Sequence, residues 1–175
     1  MRIIVVLLGA TIVACSPSGE KQAVARIALG GHVRDTADML SMAAEQSVDV
    51  ELARLEANTG DQVAVVTVVG LAGQPIERFA LDYARRWGLG QKHLDNGVLM
   101  LIAPKEHKVR IEVGTGLEGL LTDDRAQKIV DSMLMPFENG KFDDGVKIGV
   151  GEVSRLLMSS RKRPQPKFQP MRRAA

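Results

Sequence analysis

Residues that could hold a metal ion gather in two short stretches of this sequence. Asp95-Asn96 stands directly before an apolar run, and Glu118, Asp123 and Asp124 follow a second, β-branched run. Carboxylate and amide oxygens on loops are the ligands that a hard cation such as calcium requires. If the two stretches lie at the same edge of one sheet, they form a candidate site for calcium or another divalent cation.

The two runs between these stretches predict that they do meet. Val98–Ala103 is apolar throughout, whereas apolar and charged residues alternate in Val109–Val113. Only Lys105–Lys108 separates the runs, and so short a connection predicts an antiparallel hairpin. The start of the first strand then lies beside the end of the second, so Asp95 and the loop after Val113 are expected at one edge of the sheet.

A structural role could also explain part of this acidic cluster. Thr122 is suited to cap a helix, and Asp123 and Asp124 would lie in the first turn of that helix. Each aspartate would interact favourably with the helix dipole, by about 0.3–1 kcal/mol. For either aspartate alone this is the simpler interpretation, so the prediction of a cation site depends on the acids acting together.

Other templates for chemistry are incomplete. Gly114–Gly119 matches the GxGxxG pattern, but the next helix is predicted to begin only near Thr122, and acids would lie where a pyrophosphate should bind. The sequence has neither a GxSxG nor an HExxH motif, and its three histidines, His32, His93 and His107, are isolated along the chain. No dinucleotide site is therefore predicted, and no catalytic residue is assigned.

The elements that must position the acids follow the order α-β-α-β-β-α-α. Apolar residues at helical or alternating spacing define them, and glycine or proline marks several of their ends. Helices are expected at Asp38–Asn58, from Pro75 to Gly88 or Gly90, at Asp123–Met135 and at Asp143–Leu157, and strands at Gln62–Val69, Val98–Ala103 and Val109–Val113, with a short one near His32–Arg34. Strands that are apolar on both faces need helices on both sides. The predicted fold is therefore a three-layer α/β/α sandwich with a small mixed sheet.

The N-terminal segment has the pattern of an export signal. Arg2 is followed by an apolar run to Ala14 that is too short to span a bilayer, which needs about 20 residues. Residues 1–14 are therefore predicted to be a signal peptide. The single cysteine, Cys15, follows Ile12-Val13-Ala14, a sequence that resembles a bacterial lipobox, so Cys15 is predicted to carry a lipid anchor; an idle or buried cysteine after an ordinary signal is the alternative. With Ser16 after the cysteine, the resemblance favours an outer-membrane lipoprotein that faces the periplasm.

Composition and charge divide the remaining chain into three parts. With 45% apolar and 25% charged residues the chain is typical of a globular protein. Residues 15–31 lack periodicity and are interpreted as a tether, residues 32–158 as one domain, and residues 159–175 as a disordered basic tail. Six basic residues lie in that tail, so the domain itself is mildly acidic and is not expected to bind nucleic acid. The tail could contact anionic lipid headgroups or remain solvated.

Several short segments together carry a resemblance to a known family. In chain order they are Val33-Arg34-Asp35, residues 55–63 (LEANTGDQV), Arg86-Trp87-Gly88-Leu89-Gly90, residues 95–99 (DNGVL), residues 109–114 (VRIEVG), residues 116–119 (GLEG), Leu121-Thr122-Asp123, Pro136-Phe137 and residues 140–145 (GKFDDG). In this order they resemble the TPM domain of bacterial YgcG-like envelope proteins and of a thylakoid-lumen protein linked to photosystem II repair. The resemblance covers about residues 33–158.

The resemblance implies a fold, a compartment and a candidate site. Members have an α/β/α sandwich and lie outside the cytoplasm; some are described as binding divalent cations at acidic loops, and some are labelled phosphatases. Carried over to this sequence, metal binding would involve Asp35, Asp95, Asn96, Glu118 and Asp123. YgcG-like members usually continue into a membrane helix and a glycine-rich tail. This sequence has a basic tail instead, so Cys15 is expected to replace the membrane helix as the anchor.

Two functions follow as hypotheses. The first is a non-catalytic accessory or assembly factor of the cell envelope, anchored to the membrane by lipid, that uses its acidic loops and a divalent cation to support an unknown envelope protein partner. The alternative is a metal-dependent phosphatase in which the same carboxylates hold cations that activate water. Against the alternative, the sequence offers no evident nucleophile and no arginine cluster committed to phosphate. Arg125 is the only basic residue close to the acidic loop along the chain.

Overall fold

The structure is a computed structural model that describes residues 31–160. The predicted signal peptide (residues 1–14), Cys15, the tether up to residue 30 and the tail from residue 161 lie outside the described residues. Between residues 31 and 160, no helix is both long enough and apolar enough to cross a bilayer.

The core element is a four-stranded mixed sheet, as predicted. Its strands are β1 (Val33–Asp35), β2 (Gln62–Thr67), β3 (Gly97–Ala103) and β4 (Lys108–Val113), and they lie side by side in chain order. The first three strands are parallel, and β4 returns antiparallel to β3. Every residue of β3 is buried, because this strand lies inside the sheet and is covered on both faces. The alternating strand β4 lies at an edge of the sheet, with β3 as its only neighbour among residues 31–160.

Four helices cover the sheet in two layers. They are α1 (Met42–Thr59), α2 (Ile76–Trp87), α3 (Asp123–Glu138) and α4 (Phe142–Ser160). On one face α1, α3 and α4 enclose the larger apolar cluster, around Leu52, Met100 and Met133. On the other face α2 alone closes a smaller cluster that includes Val66 and Leu101. The predicted three-layer α/β/α sandwich is confirmed.

The first helix begins later than predicted. The apolar pattern placed its start at Asp38, but Asp38 has a positive φ of 51°, which a helix cannot contain. Ser41 is the N-cap instead, and its hydroxyl accepts a hydrogen bond from the backbone N–H of Ala44 at 3.2 Å. The cap therefore decides the boundary, because hydrophobic periodicity alone does not locate the residue that satisfies the first free N–H groups.

Other boundaries shift by a few residues. Strand β2 ends at Thr67 rather than Val69, which is 70% exposed. Helix α3 continues through Pro136 to Glu138, and α4 extends to Ser160, two residues past the predicted end of the domain at residue 158. The hairpin turn is a 3₁₀ turn, Pro104–Glu106, which His107 ends with a φ of 52°.

Candidate functional site

The structure brings the two predicted loops together at the edge where the parallel strands begin. The backbone N–H of Gly114 donates to the Gly97 carbonyl at 2.7 Å, and that of Gly116 donates to the Asp95 carbonyl at 3.2 Å. The Thr115 hydroxyl also donates to an Asp95 carboxylate oxygen at 3.2 Å. Asp95 is thus held from both its backbone and its side chain by the loop that follows β4.

Two glycines make this close approach possible. A Cβ atom on Gly114 would collide with the Asp95 carbonyl oxygen, and one on Gly116 with the Leu94 carbonyl oxygen, both well inside the 3.0 Å that real Cβ atoms keep. Asp95 itself has a φ of 44°, in the left-handed region. The first two glycines of the GxGxxG match therefore serve backbone packing between the loops.

The remaining predicted acids lie further along the same loop. Glu118 is in the turn before α3, and Asp123 and Asp124 form the first turn of that helix. Thr122 is the N-cap residue, as predicted, but its hydroxyl makes no cap hydrogen bond. Both aspartates are placed favourably for the helix dipole.

We call Asp95, Glu118, Asp123 and Asp124 the acidic edge. All four side chains are exposed, and among residues 31–160 none of them forms an ion pair. Arg125 is the nearest basic residue along the chain, but its guanidinium donates to the Leu120 carbonyl. The charges of the acidic edge are therefore left to solvent or to an external ligand.

The acidic edge has donor atoms that suit a cation, but they are not arranged as a complete coordination site. Its oxygens are the donors that calcium prefers, and calcium takes six to eight of them. Within residues 31–160, however, no three His, Cys, Asp or Glu side chains lie close enough together to hold a metal ion. The protein thus offers an open, partial ligand set rather than a preformed cage.

Asn96 is placed beside Asp95, but its side chain is used inside the fold. It is 5% exposed, and its Oδ1 accepts from the Gln91 N–H at 2.8 Å. Its Nδ2 donates to the Gly60 carbonyl at 2.8 Å and to an Asp61 carboxylate oxygen at 3.2 Å. Asn96 therefore ties the end of α1 to the start of β3 and does not face the acidic edge.

Asp35 lies at the opposite edge of the sheet, at the carboxyl ends of the parallel strands. Its carboxylate accepts from the Thr67 hydroxyl and, at 2.8 Å, from the Leu40 N–H. The same Thr67 hydroxyl accepts from the Ala37 N–H at 3.0 Å. The structure does not bring Asp35 together with the other predicted ligands, and its bonds fix the turn between β1 and α1.

A second acid at this carboxyl edge joins two helix starts. Asp143, in the first turn of α4, accepts from the Ser41 hydroxyl at 2.5 Å and from the Ser41 N–H at 2.9 Å. These hydrogen bonds favour the ionised form, so the pKa of Asp143 is lowered below its ordinary value. The side chains of Asp35, Ser41 and Asp143 therefore have a structural role, since their polar atoms are hydrogen-bonded within the fold.

Sequence reasoning missed one buried polar cluster. His32 is 7% exposed, its Nε2 lies 2.8 Å from a Glu56 oxygen, and its Nδ1 lies 3.4 Å from an Asp49 oxygen. Interpreting His32 as isolated was therefore wrong. Both ring nitrogens face carboxylates, so the imidazole joins β1 to α1. The seven-residue spacing of Asp49 and Glu56, which places both on one helix face, was the available signal.

Comparison with known proteins identifies the fold and the family. A family model for the TPM domain, whose label also carries the word phosphatase, matches residues 33–156. No curated protein matches the chain significantly.

Several solved structures are similar to this one, among them the following three. An N-terminal domain of a protein from P. gingivalis is 31% identical with a TM-score of 0.72, covering 83% of this chain and 93% of its own. An N-terminal domain from Corynebacterium glutamicum is 15% identical (TM-score 0.60, 95% and 99% coverage). The BA42 protein of the psychrophilic bacterium Bizionia argentinensis is 20% identical (TM-score 0.60, 73% and 86% coverage). The last two show the fold alone.

Proposed function

This chain belongs to the TPM domain family, and on that premise we propose that it is a non-catalytic accessory domain of the cell envelope whose acidic edge binds its partners. The observation that carries the proposal is that the four carboxylates of the acidic edge are exposed and form no ion pair among residues 31–160. Asp95 and Glu118 stand on two loops that pack closely at Gly114 and Gly116, and Asp123 and Asp124 form the first turn of α3. A rigid, charged and unsatisfied edge is suited to recognition, because little ordering is needed when a ligand binds.

A divalent cation is the ligand that we assign to this edge in the first instance. The carboxylate oxygens have the right chemistry for calcium, and the partial ligand set leaves coordination positions for water or for a partner's oxygen atoms. Such a cation would be held weakly by the isolated protein. An envelope protein that supplies the missing ligands would bind more tightly with the cation than without it.

The envelope location is part of the proposal and depends on residues outside the described structure. Residues 1–14 would direct export, Cys15 would carry the lipid, and the chain would enter the domain at the edge strand β1. Replacing Cys15 by serine should move the full chain from the membrane fraction to the soluble fraction. A Cys15→Ser protein that stays membrane-bound would contradict the lipid anchor. That result would not bear on ligand binding at the acidic edge.

Calorimetric calcium titration of the full chain tests the binding site. We expect saturable heat that is lost in the double variant Asp95→Asn/Asp123→Asn and retained in Glu138→Gln. Glu138 is an exposed acid at the far end of α3 and is therefore a matched control for charge. Absence of saturable binding, or an equal loss in the control, would overturn cation binding at the acidic edge.

Phosphatase activity is the second candidate, and the label of the family model is the observation that favours it. Release of phosphate from generic monoesters should be measured for the full chain with calcium, magnesium or manganese. The accessory role predicts no release above the level of the Asp95→Asn/Asp123→Asn variant. Turnover that this variant abolishes, with the fold intact, would establish the phosphatase instead.

A further inference from the structure

A cluster of arginine and aromatic side chains lies on the α2 side of the sheet, away from the α1, α3 and α4 layer. Its members are Arg34 on β1 and Tyr83, Arg86 and Trp87 on α2. The guanidinium carbon of Arg34 lies 5.6 Å from the centroid of the Trp87 ring, and that of Arg86 lies 6.0 Å from the Tyr83 ring. We call these four residues the arginine–aromatic surface.

The surface is held in place by the helix and by the sheet. Tyr83 and Trp87 are one helical turn apart, their ring centroids are 4.8 Å apart, and Phe79 extends the same row with a centroid 6.1 Å from that of Tyr83. Arg34 pairs in the sheet with Val66, whose side chain packs under α2. Since each guanidinium rests on a ring within the range of a cation–π interaction, both arginines are positioned before any ligand arrives.

Neither arginine of this surface is neutralised within the described part of the chain. No carboxylate between residues 31 and 160 forms an ion pair with Arg34 or Arg86, whereas the acids nearby are already engaged. Asp82 pairs with Arg78 at 3.0 Å, and Glu112 pairs with Arg110 at 3.1 Å. Arg86 Nε donates to the Asp82 backbone carbonyl at 3.3 Å, which leaves its two terminal nitrogens available. Both positive charges thus lack a carboxylate partner in this part of the chain.

Compensation of the helix dipole explains only part of this arrangement. Arg85 and Arg86 lie in the last turn of α2, where positive charge offsets the partial negative charge of the helix C-terminus. Arg34 comes from β1 and is not needed for that purpose. Arg85 makes none of the ring contacts of the surface. Replacing Arg85 therefore tests whether the arginines only offset the helix dipole or also bind a ligand.

The geometry points to a binding site for an oxyanion of the phosphate type, formed by the guanidinium groups of Arg34 and Arg86 and the hydroxyl of Tyr83. A guanidinium presents a fork of N–H donors that matches two oxygens of a phosphate group, and a phenol supplies one further donor. This inference does not depend on the function proposed for the acidic edge.

The protonation of Tyr83 agrees with its role as a donor. Partial burial of the ring raises the pKa of Tyr83 above its ordinary value of 10.0, so the hydroxyl keeps its proton at neutral pH. The positive charges of Arg34 and Arg86 act in the opposite direction and lower this pKa, but the effect of burial is larger.

Inorganic phosphate is the first probe, and the protein carries its own reporter. Trp87 is the only tryptophan of the chain, and Arg34 lies over its ring. Titrating the full chain with phosphate, against sodium chloride at matched ionic strength, should give a saturable change in tryptophan fluorescence. A response that does not saturate, or that chloride reproduces, means that free phosphate is not the ligand.

Vesicles distinguish a lipid headgroup from a soluble ligand. The full chain with Cys15→Ser, which removes the predicted anchor, should be sedimented with phosphatidylglycerol vesicles and with neutral phosphatidylcholine vesicles. Binding to the first alone, if Arg34→Gln and Arg86→Gln weaken it, identifies a phospholipid headgroup as the source of the oxyanion. Vesicle binding that these variants leave unchanged is due to the basic tail and contradicts a lipid ligand at this surface. Saturable binding of free phosphate without vesicle binding identifies a soluble source. If neither probe binds, the proposal is wrong.

Variants assign the binding to these residues. Arg34→Gln and Arg86→Gln should each weaken the affinity for the bound probe by about tenfold, and Tyr83→Phe by about threefold. Arg85→Gln removes the same charge from the same helix end and should change the affinity by less than about twofold. Equal weakening by Arg85→Gln and Arg34→Gln would show general charge attraction and overturn the site; circular dichroism of each variant confirms that it is folded.

Discussion

The two edges of the sheet use the same residue type in opposite ways. At the carboxyl edge, Asp35 and Asp143 accept hydrogen bonds from backbone N–H groups and hydroxyls, and these bonds fix the starts of helices. At the amino edge, the carboxylates of Glu118, Asp123 and Asp124 point into solvent. An aspartate is therefore informative about function only after its hydrogen-bond partners are known.

The acidic edge does not lie where α/β folds usually bind ligands. Ligands of open parallel sheets usually bind outside the carboxyl ends of the strands. Here that end is filled by internal hydrogen bonds, including one from the Leu71 N–H to Glu106 in the hairpin turn at 3.0 Å. The four carboxylates of the acidic edge lie at the other end, where the antiparallel strand β4 delivers a loop beside Asp95.

The largest expected loss of stability comes from disrupting the packing between the two loops at the amino edge. Gly114→Ala places a methyl group against the Asp95 carbonyl, so the backbone must move, at a cost of about 3 kcal/mol in the free energy of unfolding. Gly119→Ala, in the same loop with open space around it, should cost less than about 0.5 kcal/mol. Urea unfolding of both variants measures the difference. Equal midpoints would show that the two loops are not locked.

The next prediction compares one acid from each edge. Asp35→Ala leaves the Leu40 N–H and the Thr67 hydroxyl without their acceptor and should lower the free energy of unfolding by about 2 kcal/mol. Glu118→Ala removes an exposed side chain and should cost less than about 0.5 kcal/mol. Chemical denaturation of both variants is the measurement. A loss for Glu118→Ala as large as that for Asp35→Ala would remove the distinction between the edges.

The smallest effect concerns pH. Since the pKa of Asp143 is lowered in the folded protein, its ionised form stabilises the fold above the unfolded value of about 3.9, and this contribution disappears as the pH falls below that value. At neutral pH the free energy of unfolding of the wild type should be higher than that of Asp143→Asn by at most about 0.5 kcal/mol, because solvent screens this partly exposed group. This difference in the free energy of unfolding should disappear as the pH falls from about 4 to the pKa of Asp143 in the folded protein. Urea unfolding of both proteins at about six pH values across that range is the measurement.

Asp144→Asn is the control for this pH series. Asp144 is exposed and makes none of the bonds to Ser41. A gap for Asp143→Asn that stays constant down to the lowest pH, or one that Asp144→Asn reproduces, would contradict the assignment of the effect to the Ser41 hydrogen bonds.

The sequence was sufficient for the architecture because that information is local. Periodicity located all four helices, the short link between two apolar runs predicted the antiparallel pair β3–β4, and Gly88 ends α2 in the left-handed conformation expected of a stop. Ordered short segments identified the TPM domain. Each of these signals is contained within a few neighbouring residues.

The candidate site was predictable in its location but not in the role of each side chain. Asp95 and Asn96 are adjacent in sequence, yet one faces solvent and the other is buried with its polar atoms bonded. His32 and Glu56 are 24 residues apart, and only the fold brings them together. Side-chain direction and distant partners depend on tertiary packing, which one sequence does not display.

The order of the strands in the sheet has a consequence for how the protein reaches its folded state. Because β1, β2, β3 and β4 are neighbours in the order of synthesis, each strand after β1 finds its partner already present when it emerges from the ribosome. No strand has to wait for a segment beyond the next strand, and each new strand adds to the edge that the previous one left open. Such a topology keeps loop-closure costs low during vectorial folding and shortens the time for which unpaired strands could aggregate.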